Sequence, residues 1–431
     1  MDAAKKLAVK TYRHFIHDSL YRNSFFLMTN TACLAIFGFI FWALAARFYS
    51  TTNVGIVATL VSAANFIAIL STLGFDTSFI RYLPRSKFYA EQLDTGFMVS
   101  SLAAVFVSVI YLLVIKLILP GSLFIDNSLF WGVAFVIFMV INMLNNLTNI
   151  AFIAYRKSHY LLIINLIFGI LRLVALVLLS RYKLGGIVLS YALAASLTLL
   201  LTIAAFRRYL NYHVRPRIIK RELKRLAKYS FINYISTLFS SLPTLLLPTV
   251  IIKLLSPSFS AYYYIVSVIV AAILIIPQSS SQALFAEGSW DTIKLPHYFI
   301  KASKMVFPST IGFIALIIVL AKPILEIFGR NYADHGLSLL ILLSLAVVLK
   351  TASSLVSVIL KIYHIIIPVA VAYVAYAVVI LAGSIWGLPR IGLDAIGYAT
   401  LAAELLVLAC LGFTLFLLRH QKISPKEVRL G

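Results

Sequence analysis

The chain reads as an all-α polytopic membrane protein. About twelve transmembrane helices are expected, in two six-helix bundles with pseudo-two-fold symmetry around a central cavity. Three observations predict this. The 431 residues are 62% hydrophobic and 12% charged, with a mean hydropathy of +0.99. Apolar runs recur almost end to end at the length a bilayer demands, about 20 residues for a core of about 30 Å. A long basic stretch then divides these runs into two sets of six.

The spans are expected at 25–46, 54–75, 95–118, 129–153, 160–180 and 186–206, then at 230–252, 260–284, 299–320, 336–359, 365–387 and 393–418. Lys and Arg of short loops set orientation, because they concentrate on the cytoplasmic side. With the N-terminus in the cytoplasm, 27 of the 37 basic residues fall on that side and eight on the other. Arg172 and Lys350 lie inside spans. The bias predicts cytoplasmic N- and C-termini and an even number of spans. It also accounts for a net charge of +23 through anionic lipid headgroups rather than nucleic acid.

Four regions follow: an N-terminal bundle with its cytoplasmic tail (1–206), a basic cytoplasmic connector (207–228), a C-terminal bundle (229–418) and a cytoplasmic tail (419–431). Within the connector, Leu223 and Leu226 among basic neighbours predict a short amphipathic helix on the inner leaflet, or else a solvated link. A weak repeat appears at an offset near 206, pairing Arg47–Gly55 with Lys253–Ala261 and Tyr155 with Tyr363. Six spans per repeat give both halves one orientation and place a cavity at their interface.

The interruptions of the apolar runs point to function. Mid-membrane charges are costly and mark candidate sites. Arg172, Lys350 and Glu404 stand near the centres of the fifth, tenth and twelfth spans. Asn165, Gly169 and Arg172 share a helical stripe, as do Lys350, Ser353, Ser354 and Ser357. A static Lys350–Glu404 salt bridge and a cavity role for Lys350 are both open readings. Ser62, Asn65, Thr72 and Asp76 form a stripe in the second span; Asn142, Asn145, Asn146 and Asn149 form one in the fourth. Asn233, Thr237, Ser240 and Thr244 form a similar stripe in the seventh, and Ser267, Gln278 and Gln282 lie near one face of the eighth. A single intramembrane Asn is commonly helix–helix glue, but amide stripes beside sparse positive charge suit a polyhydroxylated, anionic ligand.

Pro243 and Pro248 in the seventh span predict a bent helix and a candidate gate, with a static packing kink as the alternative. Pro277, Pro308 and Pro368 are read as internal to the eighth, ninth and eleventh spans. Tyr262–Tyr264 are expected at a membrane interface. Cys33 and Cys410 are expected as small buried hydrophobes. No phosphate-binding G-x-x-x-x-G-K-[S/T] loop, metal-ligand cluster or Ser/His/Asp set is present, so neither an enzyme nor a cofactor is predicted.

Three segments carry a resemblance. Phe41–Gly55 resembles the link between the first two helices of polysaccharide (Wzx-type) flippases, and Leu73–Pro84 the close of their second helix. Ile327–Ala333 resembles the F-G-x-x-Y-A segment at the matching place before the tenth span. The superfamily is that of multidrug, oligosaccharidyl-lipid and polysaccharide exporters. The resemblance implies a flippase that moves a polyprenyl-(pyro)phosphate-linked oligosaccharide from the cytoplasmic to the outer leaflet of the cytoplasmic (inner) membrane by alternating access, serving cell-surface polysaccharide or glycoconjugate synthesis. Arg172 and Lys350 would then neutralise phosphate, and Arg81 and Arg22 would attract it at the inner mouth. Asn65, Asn145, Asn165, Asn233 and Gln278 would bind sugar hydroxyls. Asp76 or Glu404 would carry a coupling proton or sodium ion, unless the membrane potential alone drives transport. Expected partners are the lipid-linked glycan, anionic lipids and other polysaccharide-assembly membrane proteins. The alternatives are a multidrug organic-cation antiporter of the same fold and a non-transporting assembly subunit.

Overall fold

The computed structural model describes residues 19–118, 129–210, 212–213, 215–290, 293–363 and 365–420. Fourteen α-helices run through them: α1 Ser19–Phe48, α2 Thr51–Thr72, α3 Phe75–Tyr82, α4 Tyr89–Ile118, α5 Leu129–Ala154, α6 Ser158–Leu178 and α7 Lys183–Leu210, then α8 Lys220–Leu254, α9 Pro257–Trp290, α10 Leu295–Val319, α11 Ala321–Glu326, α12 Arg330–Ile362, α13 Ile367–Ile391 and α14 Asp394–His420. Twelve are long and apolar enough to cross a membrane, all but α3 and α11. The protein is therefore a multi-pass membrane protein. Helices are the natural solution, because a spanning segment must satisfy its backbone donors and acceptors internally.

Several breaks between helices sit where φ turns positive. Leu73 and Gly74 take φ of 49° and 81° between α2 and α3. This break ends the second span before Asp76, which belongs to the first turn of α3 rather than to the stripe of Ser62, Asn65 and Thr72. Gly329, at φ 128°, precedes α12; a side chain there would strain the backbone. Pro368 lies in the first turn of α13, where a missing N–H breaks no helical bond, so it is not an internal proline. Pro243 and Pro248 are internal to α8, and both are buried.

The chain divides into two compact units. One comprises 1–48 and 64–231, the other 49–63 and 232–431. In the first unit, α6 packs against α1 and α7. Its buried face carries Leu161, Asn165, Gly169, Arg172 and Leu176, the 3–4 residue spacing of an inward stripe. Gly169 makes the approach to α1 possible, since a Cβ there would fall 2.6 Å from a Phe37 ring carbon. Below this, Phe75, Phe79, Phe97, Met143, Leu147, Phe152 and Phe206 form an apolar core with Tyr212. In the second unit, α13 packs on α14 through small residues: Cβ atoms at Gly383 and Gly387 would meet Ala399 and Ala395 at 3.0 and 2.6 Å. The first turns of α2 belong here too. Gly55 lies against the Pro257 carbonyl, and the hydroxyls of Thr59 and Ser260 hydrogen-bond at 3.0 Å.

Within the described residues, the connector is tied to the first unit while exposing several of its side chains. Its helical part, from Lys220, is continuous with α8, and Leu223 packs against the first unit's core. Two buried acids, unremarked in the sequence, hold it to α4. Asp94, 2% exposed, accepts hydrogen bonds from the Tyr212 hydroxyl at 2.6 Å, the Arg215 N–H at 3.1 Å and Arg217 Nε at 2.7 Å. Glu222, 1% exposed, accepts from Gln92 Nε2 at 2.8 Å and from Arg221 Nε at 3.0 Å. Burial, and then the Asp94 hydrogen bond, drive the Tyr212 hydroxyl far above its ordinary pKa.

Two further expectations change. Tyr262 and Tyr263 are buried rather than interfacial: Tyr262 packs edge-on against Tyr332 and stacks on His335. Cys33 is half-buried and Cys410 exposed, so neither is a core residue, and both are free thiols.

Candidate functional site

Each unit holds a polar pocket, and the two differ in chemistry. In the first unit, the stripe of α5 places Asn142, Asn145, Asn146 and Asn149 on one wall of a cavity of about 280 Å³. Asn65 from α2 and Asn165 from α6 complete a set of six amides. Among the described residues, no charged side chain lines it. Asn165 Nδ2 donates to Asn30 Oδ1 at 2.8 Å, and Asn145 Nδ2 donates to the Ala195 carbonyl at 2.9 Å. Asn142 Nδ2 is buried without a partner. An amide carries both donors and an acceptor, so a wall of such side chains can answer either role of a ligand oxygen.

Arg172 stands behind this cavity rather than in it. Its guanidinium carbon lies 4.3 Å from the ring centroid of Phe41, 5.0 Å from that of Phe168 and 4.9 Å from that of Tyr191. Phe168 and Tyr191 line the cavity; Arg172 does not. The side chain is 6% exposed, donates to the Phe37 carbonyl at 3.4 Å, and leaves Nε without a hydrogen-bond acceptor. Aromatic faces take the place of a counter-ion, a role worth about 2 kcal/mol or more for a desolvated cation.

In the second unit a cavity of about 140 Å³ mixes apolar and polar side chains. There Lys350 of α12 meets Glu404 of α14, with Nζ 3.4 Å from Oε1. The ammonium also lies 3.4 Å from the Tyr376 hydroxyl and 5.1 Å from that ring's centroid. Glu404 Oε2 accepts from Ser353 Oγ at 3.1 Å. Tyr263, Ser267, Thr244 and Thr400 add hydroxyls to the lining, and Pro243 contributes to its wall.

The structure thus brings Asn65, Asn145 and Asn165 together in one pocket, and Lys350, Glu404 and Pro243 in the other. Pro248 and Gln278 line neither pocket, and Gln278 is exposed on α9. Asp76 is half-buried on α3 and lines neither pocket; burial raises its carboxyl pKa against two backbone hydrogen bonds that lower it. Arg22, Arg81 and Asn233 lie in α1, α3 and α8, with side chains outside the described residues. Sequence reasoning missed Asn30, Tyr191 and Tyr376. Asn30 is a lone amide in an apolar run, and the two tyrosines are aromatic residues among many, so only the fold assigns them partners.

The family model for "Polysaccharide biosynthesis protein" matches residues 20–285. Comparison with curated protein sequences gives no match. Among solved structures, lipid II flippase MurJ in an inward closed conformation is 14% identical with a TM-score of 0.74, over 91% of this chain and 87% of its own. An inward-facing multidrug resistance MATE family transporter of the MOP superfamily is 14% identical with a TM-score of 0.71, over 91% and 96%. A MOP superfamily transporter from Pyrococcus furiosus, described by the reverse polarity of its binding pocket, is 13% identical with a TM-score of 0.61, over 93% and 96%. These likenesses show a shared fold, that of MOP-superfamily transporters.

Proposed function

The chain belongs to the polysaccharide biosynthesis protein family, and from that premise we propose that it is a flippase for a polyprenyl-(pyro)phosphate-linked oligosaccharide. It moves this lipid from the cytoplasmic to the outer leaflet of the cytoplasmic membrane by alternating access, with both termini in the cytoplasm, for cell-surface polysaccharide or glycoconjugate assembly. The solved flippase of similar fold takes lipid II, by its name a lipid. The observation that carries the reading is the cavity of six neutral amides with an unpartnered donor at Asn142. Sugar hydroxyls are donors and acceptors at once, and amides answer both roles without a charge. An organic-cation site would be built on an unneutralised acid. Here the carboxylate that lines a pocket, Glu404, is already paired with Lys350.

The lipid tail stays in the bilayer while the sugar enters the amide cavity. Arg172 acts as a positioning residue, fixing the rings of Phe168 and Tyr191 that form one wall. A potential negative inside favours outward passage of an anionic headgroup by about 2.3 kcal/mol per 100 mV for each charge that no co-transported cation cancels. Basic segments on the cytoplasmic side would hold anionic lipids, and assembly enzymes would supply and remove the glycan.

Reconstituted vesicles test this with a fluorescent polyprenyl pyrophosphate oligosaccharide and a quencher outside. Wild-type protein should expose the label at the outer leaflet. The pair Asn142→Leu and Asn145→Leu should abolish that while the protein still melts cooperatively. Undiminished flipping by the double variant, or transport of organic cations instead, would overturn the reading.

A further inference from the structure

We propose that Lys350 and Glu404 are an exchangeable ion pair: the phosphate of an anionic lipid displaces the Glu404 carboxylate from the Lys350 ammonium, and Glu404 takes a proton from water as it is released. The inference rests on the flippase reading for its choice of anion.

Three features of the pair argue for exchange over a fixed lock. First, it is loose. Its contact of 3.4 Å is well beyond the 2.7–2.9 Å of a tight ammonium–carboxylate hydrogen bond. Second, it is lopsided. The Lys350 side chain is 32% exposed and that of Glu404 2%, so the lysine is the more open member of a pair that lines one cavity. An incoming anion therefore reaches the cation first. Third, the space fits a phosphoryl group. A water occupies roughly 10–15 Å³ by the measure in which this cavity holds about 140 Å³. The hydroxyls of Tyr376 and Tyr263 stand in the same lining.

The surrounding charges decide what happens to Glu404. Facing the pair are Tyr376 and Tyr373 from α13 and Tyr263 from α9. The lining that α8 supplies is uncharged. Among the described residues, no second cation lines the cavity to hold Glu404 once Lys350 is taken. Ser353 Oγ would be its remaining hydrogen-bond donor. A buried carboxylate stripped of its cation neutralises itself by binding a proton. The balance is simple. One anion and one proton enter, the Lys350–Glu404 contact breaks, a Lys350–phosphate contact forms, and Glu404 ends as the neutral acid. A monoanion leaves the cavity neutral, as before. Anion binding is thereby tied to proton uptake by the cavity itself, with no separate ion site.

The test uses full-length protein in nanodiscs of uncharged lipid, with farnesyl pyrophosphate, which carries no sugar, as probe. Calorimetry in two buffers of different ionisation heat counts the protons. Work between about pH 7.5 and 9 avoids titration of the probe's own phosphate, whose last pKa is near 6. Wild-type protein should take up close to one proton per probe bound, and affinity should fall by up to tenfold per pH unit. Glu404→Gln should bind more tightly, with heats independent of buffer and affinity independent of pH. Lys350→Gln should lose binding. Should that variant fail to fold, Glu404→Gln decides alone: weaker or still pH-dependent binding overturns the exchange. Normal flipping of the glycan lipid with proton-independent probe binding also overturns it and leaves the flippase reading intact. Proton-linked probe binding without flipping sinks the flippase reading and leaves the exchange standing.

Discussion

The Arg172 guanidinium lies 4.9 Å from the centroid of the Tyr191 ring, and Tyr191 itself lines the asparagine cavity. Among the described residues this cation has no acidic partner, and it packs on two rings of the cavity wall. Arg172→Leu should loosen Phe168 and Tyr191 and cut flipping of the glycan lipid by about tenfold, the equivalent of about 1.4 kcal/mol. Binding of a sugar-free isoprenyl pyrophosphate should be unchanged. A parallel loss of both would show that Arg172 handles the phosphate directly.

Asp94 gathers a tyrosine, a backbone amide and an arginine onto one buried carboxylate. Breaking a buried pair by removing one partner costs about 3–5 kcal/mol, less here because the Arg217 side chain is 39% exposed. Asp94→Ala should therefore destabilise by about 2–3 kcal/mol. Limited proteolysis should then cut within 212–219 faster than in wild-type protein, and thermal unfolding in detergent gives the magnitude.

Asp76 offers a pH signature. Burial raises its carboxyl pKa above the ordinary 3.8, so the folded protein holds the proton more tightly than the unfolded chain. Below 3.8 both forms are protonated and the fold bears no penalty. As pH rises from there through the raised folded value, the unfolded chain ionises first and stability falls. Asp76→Asn removes this dependence. At neutral pH it should melt at the same temperature as wild-type protein or higher. A lower melting temperature would mean that the ionised carboxylate is held by a favourable contact.

Gly55 is a packing requirement of the second unit. A Cβ there would overlap the Pro257 backbone carbonyl, which cannot swing away as a side chain could. Overpacking typically costs about 1–3 kcal/mol, and Gly55→Ala should fall at or above the top of that range in an unfolding assay. Gly312→Ala, with nothing within 4 Å of the added methyl, should be silent.

What the sequence made legible was periodic or chemically expensive. The apolar runs located all twelve spans to within a few residues, because bilayer thickness leaves little freedom in length. The α5 amide stripe was readable because helical spacing alone puts positions 142, 145, 146 and 149 on one face. The Lys350–Glu404 pair was nameable because two opposite charges at mid-membrane need each other. Partnerships over long separations were not readable. Asn30 and Asn165 are 135 residues apart, and no local pattern announces their contact. Asp94 and Glu222 are interior only because of the path the connector takes. Pro368 misled because a proline one step inside a helix looks, in sequence, like a proline in its middle.

The separation of six uncharged amides in one unit from a titratable pair in the other has an evolutionary consequence. On the proposed reading, glycan preference would drift by exchanging Asn for Ser, Gln or Thr around a neutral cavity, with no effect on the charge balance at Lys350. Selection on the driving force would act on Glu404 and its neighbours without retuning which sugar is accepted. A lineage that changes its surface polysaccharide would then carry its substitutions in 64–231 and keep its energetics.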